Sequence, residues 1–178
     1  MDGPFYIDNK PPFVAVSQSA VTLSSSYTVM IPANLLPILG NEYFSYPGKA
    51  VRMRFHGQMT SGATPGNVTF AILYGTGAAG NGNLIAGVNF AWTANITGMA
   101  FEAEWYVRCR SIGASGTLFG TGYVNTNSMG FVLLPPTSPV AVTNDLTQPG
   151  YVISFQMQRS GSTAETAQVH DFMYEALN

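Results

Sequence analysis

Residues 101–124 limit more strongly than any other stretch what this chain can fold into. Between residues 101 and 110 every second residue is apolar, and the alternate positions carry glutamate, tyrosine or arginine. Because successive side chains of a strand point to opposite faces, this predicts a long strand with one buried and one charged face. Residues 111–116 carry the serine and glycine of a turn, and residues 117–124 return as a second strand. The chain is therefore predicted to be built around a β-hairpin.

The same alternation recurs along the chain and predicts further strands. Residues 50–58 place valine, methionine and phenylalanine inward and arginine and histidine outward, and residues 151–158 have the same period. Shorter strands are predicted at residues 13–16, 21–23, 27–31, 68–74, 84–93, 129–134 and 140–142. About ten strands separated by glycine, proline and asparagine turns predict an all-β, antiparallel sandwich or barrel.

The last segment, residues 162–177, admits two interpretations. Residues 162–165 match the capping box that begins many helices, and Val169, Phe172 and Met173 lie on one helical stripe. The same segment also suits a strand that closes the sandwich, and its period alone does not decide between the two. We expect the strand.

A chain of 178 residues suits one domain, and no linker divides it, so residues 13–178 are predicted to form a single β-sandwich domain. Residues 1–12 contain three prolines, which favour extended backbone. They are either a frayed terminus or an extended arm that lays Phe5, Tyr6 and Ile7 on a neighbouring subunit, and we expect the arm.

The chain is unusually poor in charge. Charged residues make up 9% of it, the net charge is −2, and no basic run suits a nucleic-acid backbone. No apolar run is long enough to cross a membrane, and the N-terminus has no secretory signal pattern. The single cysteine, Cys109, fits folding in a reducing compartment. The surface is either simply neutral or covered by other subunits; we expect the second, because interface cores are depleted in charge.

No motif predicts catalysis, a cofactor or a metal. Residues 75–80 match G-x-G-x-x-G, but asparagine and glycine follow where a dinucleotide site needs a helix. His56 and His170 stand apart from other metal ligands, and on a regular strand His170 and Asp171 point to opposite faces. Cys109 lies on the apolar side of its strand and suits a small buried hydrophobe. We therefore expect a protein without enzymatic activity.

The residues that we expect to contact partners are aromatic or charged. Aromatic residues of the loop at residues 40–48 are either tucked under the sandwich or offered to a partner. Glutamates and arginines on the outward positions are expected to form salt bridges, on the surface or across a subunit contact. The predicted contact residues are Phe5, Tyr6, Ile7, Tyr43, Phe44, Tyr46, Arg52, Arg54, Glu102, Glu104, Arg108 and Arg110.

Residues 21–34, 63–70 and 108–116 together resemble a group of virion proteins of tailed bacteriophages. The group has a jelly-roll fold and includes head decoration proteins and related minor structural proteins. The resemblance rests on the order of strands and turns over roughly residues 20–175. It implies a jelly roll with an N-terminal arm, a homotrimer, the major capsid protein or other virion proteins as partners, and no catalytic residues.

The leading expectation is therefore a decoration or cement protein of the phage head, located in the virion and assembled in the host cytoplasm. The alternative is the receptor-binding or lectin-like head of a tail fibre, where exposed aromatic residues beside asparagine and aspartate stack on sugars. Where the protein lies in a virion, on the head or on the tail, separates the two.

Overall fold

The computed structural model describes residues 14–15, 19–36, 39, 43–76, 82–148 and 150–177. In this part of the chain there are twelve β-strands and a single turn of 3₁₀ helix, Ala33–Leu35. The strands are β1 (Val14–Ala15), β2 (Val21–Thr22), β3 (Thr28–Val29), β4 (Ala50–Thr60), β5 (Asn67–Thr76), β6 (Asn83–Ala91), β7 (Met99–Ser111), β8 (Gly116–Thr126), β9 (Gly130–Leu134), β10 (Val142–Asn144), β11 (Tyr151–Arg159) and β12 (Thr166–Leu177).

The strands form two antiparallel sheets that pack as a sandwich. The larger sheet runs β1-β12-β4-β7-β8-β10, with β2 also pairing with β12 and β9 with β8. The smaller sheet runs β3-β11-β5-β6. The pairs are nested along the chain: β1 and β2 with β12, β3 with β11, β4 with β7, and β5 with β6. This nested winding is that of a jelly roll, and β8, β9 and β10 extend one edge of the larger sheet.

The predicted hairpin lies in the middle of the larger sheet as β7 and β8. Its inward residues are buried, and Trp105 packs between the sheets with its ring 5.4 Å from Phe55 of β4 and 5.1 Å from Phe155 of β11. Phe70 of β5 completes this aromatic centre, 5.7 Å from Phe155. The predicted all-β, two-sheet sandwich and the inward faces of β4 and β7 are confirmed.

The last segment is a strand, as expected, because β12 pairs with β4 along nearly its whole length. A β-bulge between Val169 and Asp171 shifts the register. Ala167 and Val169 are buried before the bulge, and Phe172 and Tyr174 are buried after it. Odd-numbered residues therefore face the core before the bulge and even-numbered residues face it afterwards. This change of spacing is why the apolar residues of the segment also fit a helical stripe.

Two expectations fall outside the described residues. The arm at residues 1–12, with Phe5, Tyr6 and Ile7, is one of them. The central part of the glycine-rich segment, residues 77–81, is the other. Both expectations stay predictions.

Candidate interaction face

The outer face of the larger sheet gathers most of the charged residues that the sequence singles out. β4 and β7 pair so that Arg54 lies directly across from Glu104, and His56 across from Glu102. Glu175 of β12 lies across from Arg52 on the other side of β4. Because each strand alternates, these side chains all point away from the core and share one face.

Arginines and glutamates on this face pair in a network that we call the charge ladder, formed by Arg52, Arg54, Glu102, Glu104 and Glu175. Arg52 Nη2 lies 2.9 Å from Glu104 Oε2, and Arg54 Nη2 lies 2.6 Å from Glu102 Oε1. Arg54 Nε is 2.9 Å from Glu104 Oε2, and Arg52 Nη1 is 3.6 Å from Glu175 Oε2. The predicted cross-strand salt bridges are confirmed for Arg52 and Arg54.

Glu104 is the most enclosed member of the ladder, with 10% of its side chain exposed. Burial alone raises the pKa of this carboxyl, but the hydrogen bonds from Arg52 and Tyr106 and the charges of Arg52 and Arg54 outweigh it, so the pKa is lowered. Tyr106 Oη donates to Glu104 Oε1 at 2.7 Å, and this bond raises the pKa of the tyrosine. Glu104 is thus held as an anion and serves structure rather than proton transfer.

Beyond the charge ladder, the same face ends in an accessible part of the sheet, where Arg108 and Arg110 are exposed. The Arg110 guanidinium lies 4.4 Å from the Phe119 ring, and that of Arg108 lies 5.4 Å from the Tyr106 ring. No carboxylate of the described residues pairs with either arginine. Each guanidinium makes a cation–π contact with a ring, and this geometry leaves its outer N–H groups available to a partner.

The loop before β4 reaches the same end of the sheet. The N–H of Gly48 donates to the Cys109 carbonyl, and the N–H of Cys109 donates to the Lys49 carbonyl. Lys49 Nζ lies 4.6 Å from the Tyr43 ring and 5.6 Å from the Tyr46 ring. Burial raises the pKa of Tyr43 to about 12. Tyr43 and Tyr46 therefore belong to a loop that is hydrogen-bonded to the strand carrying Arg108 and Arg110.

Phe44 was also predicted to contact a partner, but the structure places it in the core. It is 2% exposed and contacts Tyr43 and Tyr74 with ring distances of 5.1 Å and 6.1 Å. Of the two alternatives left open for the loop, Phe44 takes the tucked one, because its side chain has no polar group that needs a hydrogen-bond partner. It belongs to the core and not to the accessible surface.

A depression of about 460 Å³ lies at the other end of the face. His56, Glu102, Asn125, His170 and Asp171 are among its lining residues. The expectation that His170 and Asp171 point to opposite faces is wrong, because the β-bulge turns both outward. His56 does not stand apart either, since its Nδ1 lies 2.6 Å from Asp171 Oδ1.

Phe131 and Leu133 on β9 were not among the predicted contact residues. They are 61% and 59% exposed, and Phe131 stacks on Tyr123 with ring centroids 4.9 Å apart. Tyr123 Oη in turn donates to Glu102 Oε1 at 3.3 Å. The signal available in the sequence was the apolar run before Pro135, which predicted a strand without indicating which face was covered.

Cys109 is buried, and burial raises the pKa of its thiol. No three histidine, cysteine or carboxylate side chains within the described ranges form a group suited to a metal ion. The described part of the chain also has no helix that could cross a lipid bilayer.

Comparisons with known proteins return only distant structural likeness. No family model matches the chain, and no curated protein matches it by sequence. Peanut lectin, solved with a nine-residue peptide, is 13% identical with a TM-score of 0.37, over 99% of this chain and 97% of the lectin. A legume lectin-like domain from Entamoeba histolytica is 11% identical with a TM-score of 0.30, over 95% and 89%. Neither likeness bears on what this chain binds.

Proposed function

We propose that this chain is a structural protein of a bacteriophage virion, a decoration protein that attaches to the head shell as a homotrimer. The jelly-roll winding is used by viral capsid domains and by lectins, so the fold supports the proposal without separating these classes. The phage assignment comes from the resemblance, whose stretches lie at β2–β3, at the entry to β5 and at the end of β7.

The composition of the interaction face carries the proposal. Both arginines of the charge ladder are paired with glutamates, and the accessible groups at one end are Arg108, Arg110 and Tyr46. Protein interfaces are depleted in charge at the core and enriched in aromatic residues and arginine. Adhesion is the mechanism: a rigid sandwich presents these groups to the major capsid protein, and many copies on a repeating lattice convert weak contacts into tight attachment.

The experiment is binding to phage heads that lack the protein. Recombinant wild-type chain is expected to co-sediment with the heads at a saturable ratio and to raise their melting temperature. An Arg108→Ala, Arg110→Ala double variant is expected to bind at least about tenfold more weakly, while Asn89→Ala on the opposite sheet binds as wild type. Cryo-electron microscopy of the virion then places the density. Absence of the chain from purified virions contradicts the proposal.

The depression beside β9 favours a second candidate, the receptor-binding or lectin-like head of a tail fibre. Asn125 and Asp171 supply planar hydrogen-bonding groups there, and Asn125 lies across from exposed Phe131. Such amides and carboxylates bond sugar hydroxyls while an aromatic face covers the sugar ring. Saturable binding on a glycan array, lost in Asn125→Ala, together with density at the tail, favours this candidate over the first.

A further inference from the structure

Most of the exposed large apolar side chains of the described residues lie on or beside the strands at one edge of the sandwich, where β6 contacts β8, β9 and β10. The described residues contain six large hydrophobic side chains that are exposed, and only Tyr46 lies elsewhere. The other five belong to β6, the β7–β8 turn, β9 and the lead into β10: Leu84, Ile112, Phe131, Leu133 and Val140. We call this set the apolar edge. The hydrogen bond from Asn83 Nδ2 to Asn144 Oδ1, 2.9 Å, ties β6 to β10 within it.

The same region has no charged residue. From Ser111 to Asn144 the chain contains no aspartate, glutamate, lysine, arginine or histidine. Natural proteins usually guard an open sheet edge with charge, proline or a bulge. β9 reads Gly-Phe-Val-Leu-Leu and pairs with β8 without any shift of register, so it carries none of these guards within its length.

β9 also has an open hydrogen-bonding side. Within the described ranges its backbone pairs only with β8, and no other backbone hydrogen bond reaches it. Phe131 and Leu133 stand on the outer face of the sheet, opposite Asn125 and Tyr123 of β8. The edge therefore offers a row of backbone groups flanked by two exposed apolar side chains, as strand addition requires.

We propose that β9 pairs with β9 of a second copy of this chain, antiparallel, about a two-fold axis through Val132. This register places Phe131 of each copy directly across from Leu133 of the other, on the same face of a sheet that continues through both copies. Two uncharged strands meet without repulsion, and a two-fold contact needs only one self-complementary patch. The chemistry thus favours a second copy over a charged partner.

This contact differs from the homotrimer of the proposed function and does not depend on it. A two-fold contact gives an even number of copies, either two or, if a three-fold contact also forms, six. An assembly of three copies alone overturns the β9 pairing and leaves the virion proposal standing. Absence from virions overturns the virion proposal and leaves the pairing standing.

The first measurement is the mass of the purified chain by sedimentation equilibrium over a range of concentrations. An even multiple of 19.0 kDa is expected, and a monomer or an odd multiple at every concentration overturns the proposal. Leu133→Lys places an ammonium against the partner's apolar side chain and is expected to raise the dissociation constant at least about tenfold. Ser25→Lys, in an exposed turn at a distance from the edge, is the matched control and is expected to leave it unchanged.

The second measurement tests the register. A mixture of Phe131→Cys and Leu133→Cys proteins is expected to form disulfide-linked dimers, because the two positions lie directly opposite each other. Either variant alone brings only diagonal neighbours together, about 7–8 Å apart, and is expected to cross-link poorly. The native Cys109 is buried and does not compete. Equal cross-linking in the separate variants and in the mixture, or none in any of them, overturns the proposed register.

Discussion

Glu165 is the most deeply buried charged residue of the described chain. Its side chain is fully enclosed, and its Oε2 lies 3.1 Å from Nε of Arg159. Thr163 Oγ1 donates to Glu165 Oε1, and Arg159 Nε donates to the Leu23 carbonyl at 2.8 Å. The pair joins the end of β2 to the connection between β11 and β12. The residue that the sequence presented as part of a helix cap is therefore the anchor of a buried ion pair.

Replacing this carboxylate is expected to destabilise the fold. Glu165→Gln leaves the Arg159 guanidinium without its counter-charge, and breaking a buried pair in this way costs about 3–5 kcal/mol of unfolding free energy. The measurement is urea denaturation followed by circular dichroism. Glu175→Gln is the control, because Glu175 is a third exposed and pairs at 3.6 Å, so its loss is expected to cost about 0–1 kcal/mol.

Glu104 makes the stability of the fold depend on pH. Its folded-state pKa lies below the ordinary value of 4.5, so the stability it contributes is complete above about pH 4.5 and is lost as the pH falls through the lower, folded-state pKa. Glu104→Gln is expected to cost about 1.5–3 kcal/mol near pH 7. The difference from wild type, measured by thermal unfolding from pH 7 to pH 2, is expected to shrink below pH 4.5. A difference that stays constant over this range contradicts the assignment.

At the level of the elements, Gly57 is a position where the backbone of β4 lies close to its neighbours. A Cβ atom at this position would lie 2.2 Å from the Gln168 carbonyl oxygen and 2.6 Å from Phe101 Cζ. Gly57→Ala is expected to destabilise the protein by about 1–3 kcal/mol, because the backbone of β12 must shift. Gly87→Ala on β6 meets its nearest atom at 3.4 Å and is the matched control. Equal melting temperatures for the two variants contradict this account of the β4–β12 contact.

The strands themselves were largely predictable, because alternation is enforced wherever one face is buried. β4 and β7 follow from it, and so does the salt bridging of Arg52 and Arg54. The bulge in β12 did not follow, since one extra residue leaves no compositional mark. Ser154 and Gln156 lie at outward positions of β11, yet both are buried. A two-residue period could not predict this, because their burial depends on what covers the outer face of the smaller sheet.

The candidate site was predictable only in part. The outward arginines and glutamates were predictable, because charged residues at every second position of a strand indicate the face that points to solvent. The approach of His56 to Asp171, residues far apart in sequence, depends on the register between β4 and β12 and on the bulge. The apolar edge was missed for a different reason: the apolar run predicts β9 as a strand, but only the assembled sheet shows that β9 pairs with a single strand of the described residues.

For the whole molecule, the nested winding makes cooperative unfolding the expected behaviour. β1 pairs with β12, so Val14 lies across from Phe172 and the two ends of the domain support each other. Trp105 contacts aromatic rings of both sheets. Tryptophan fluorescence and far-ultraviolet circular dichroism should therefore report one coincident transition in urea, as a single domain at residues 13–178 predicts. An earlier circular dichroism transition that leaves Trp105 buried would show that β8 to β10 unfold as a separate unit, and would contradict the single domain.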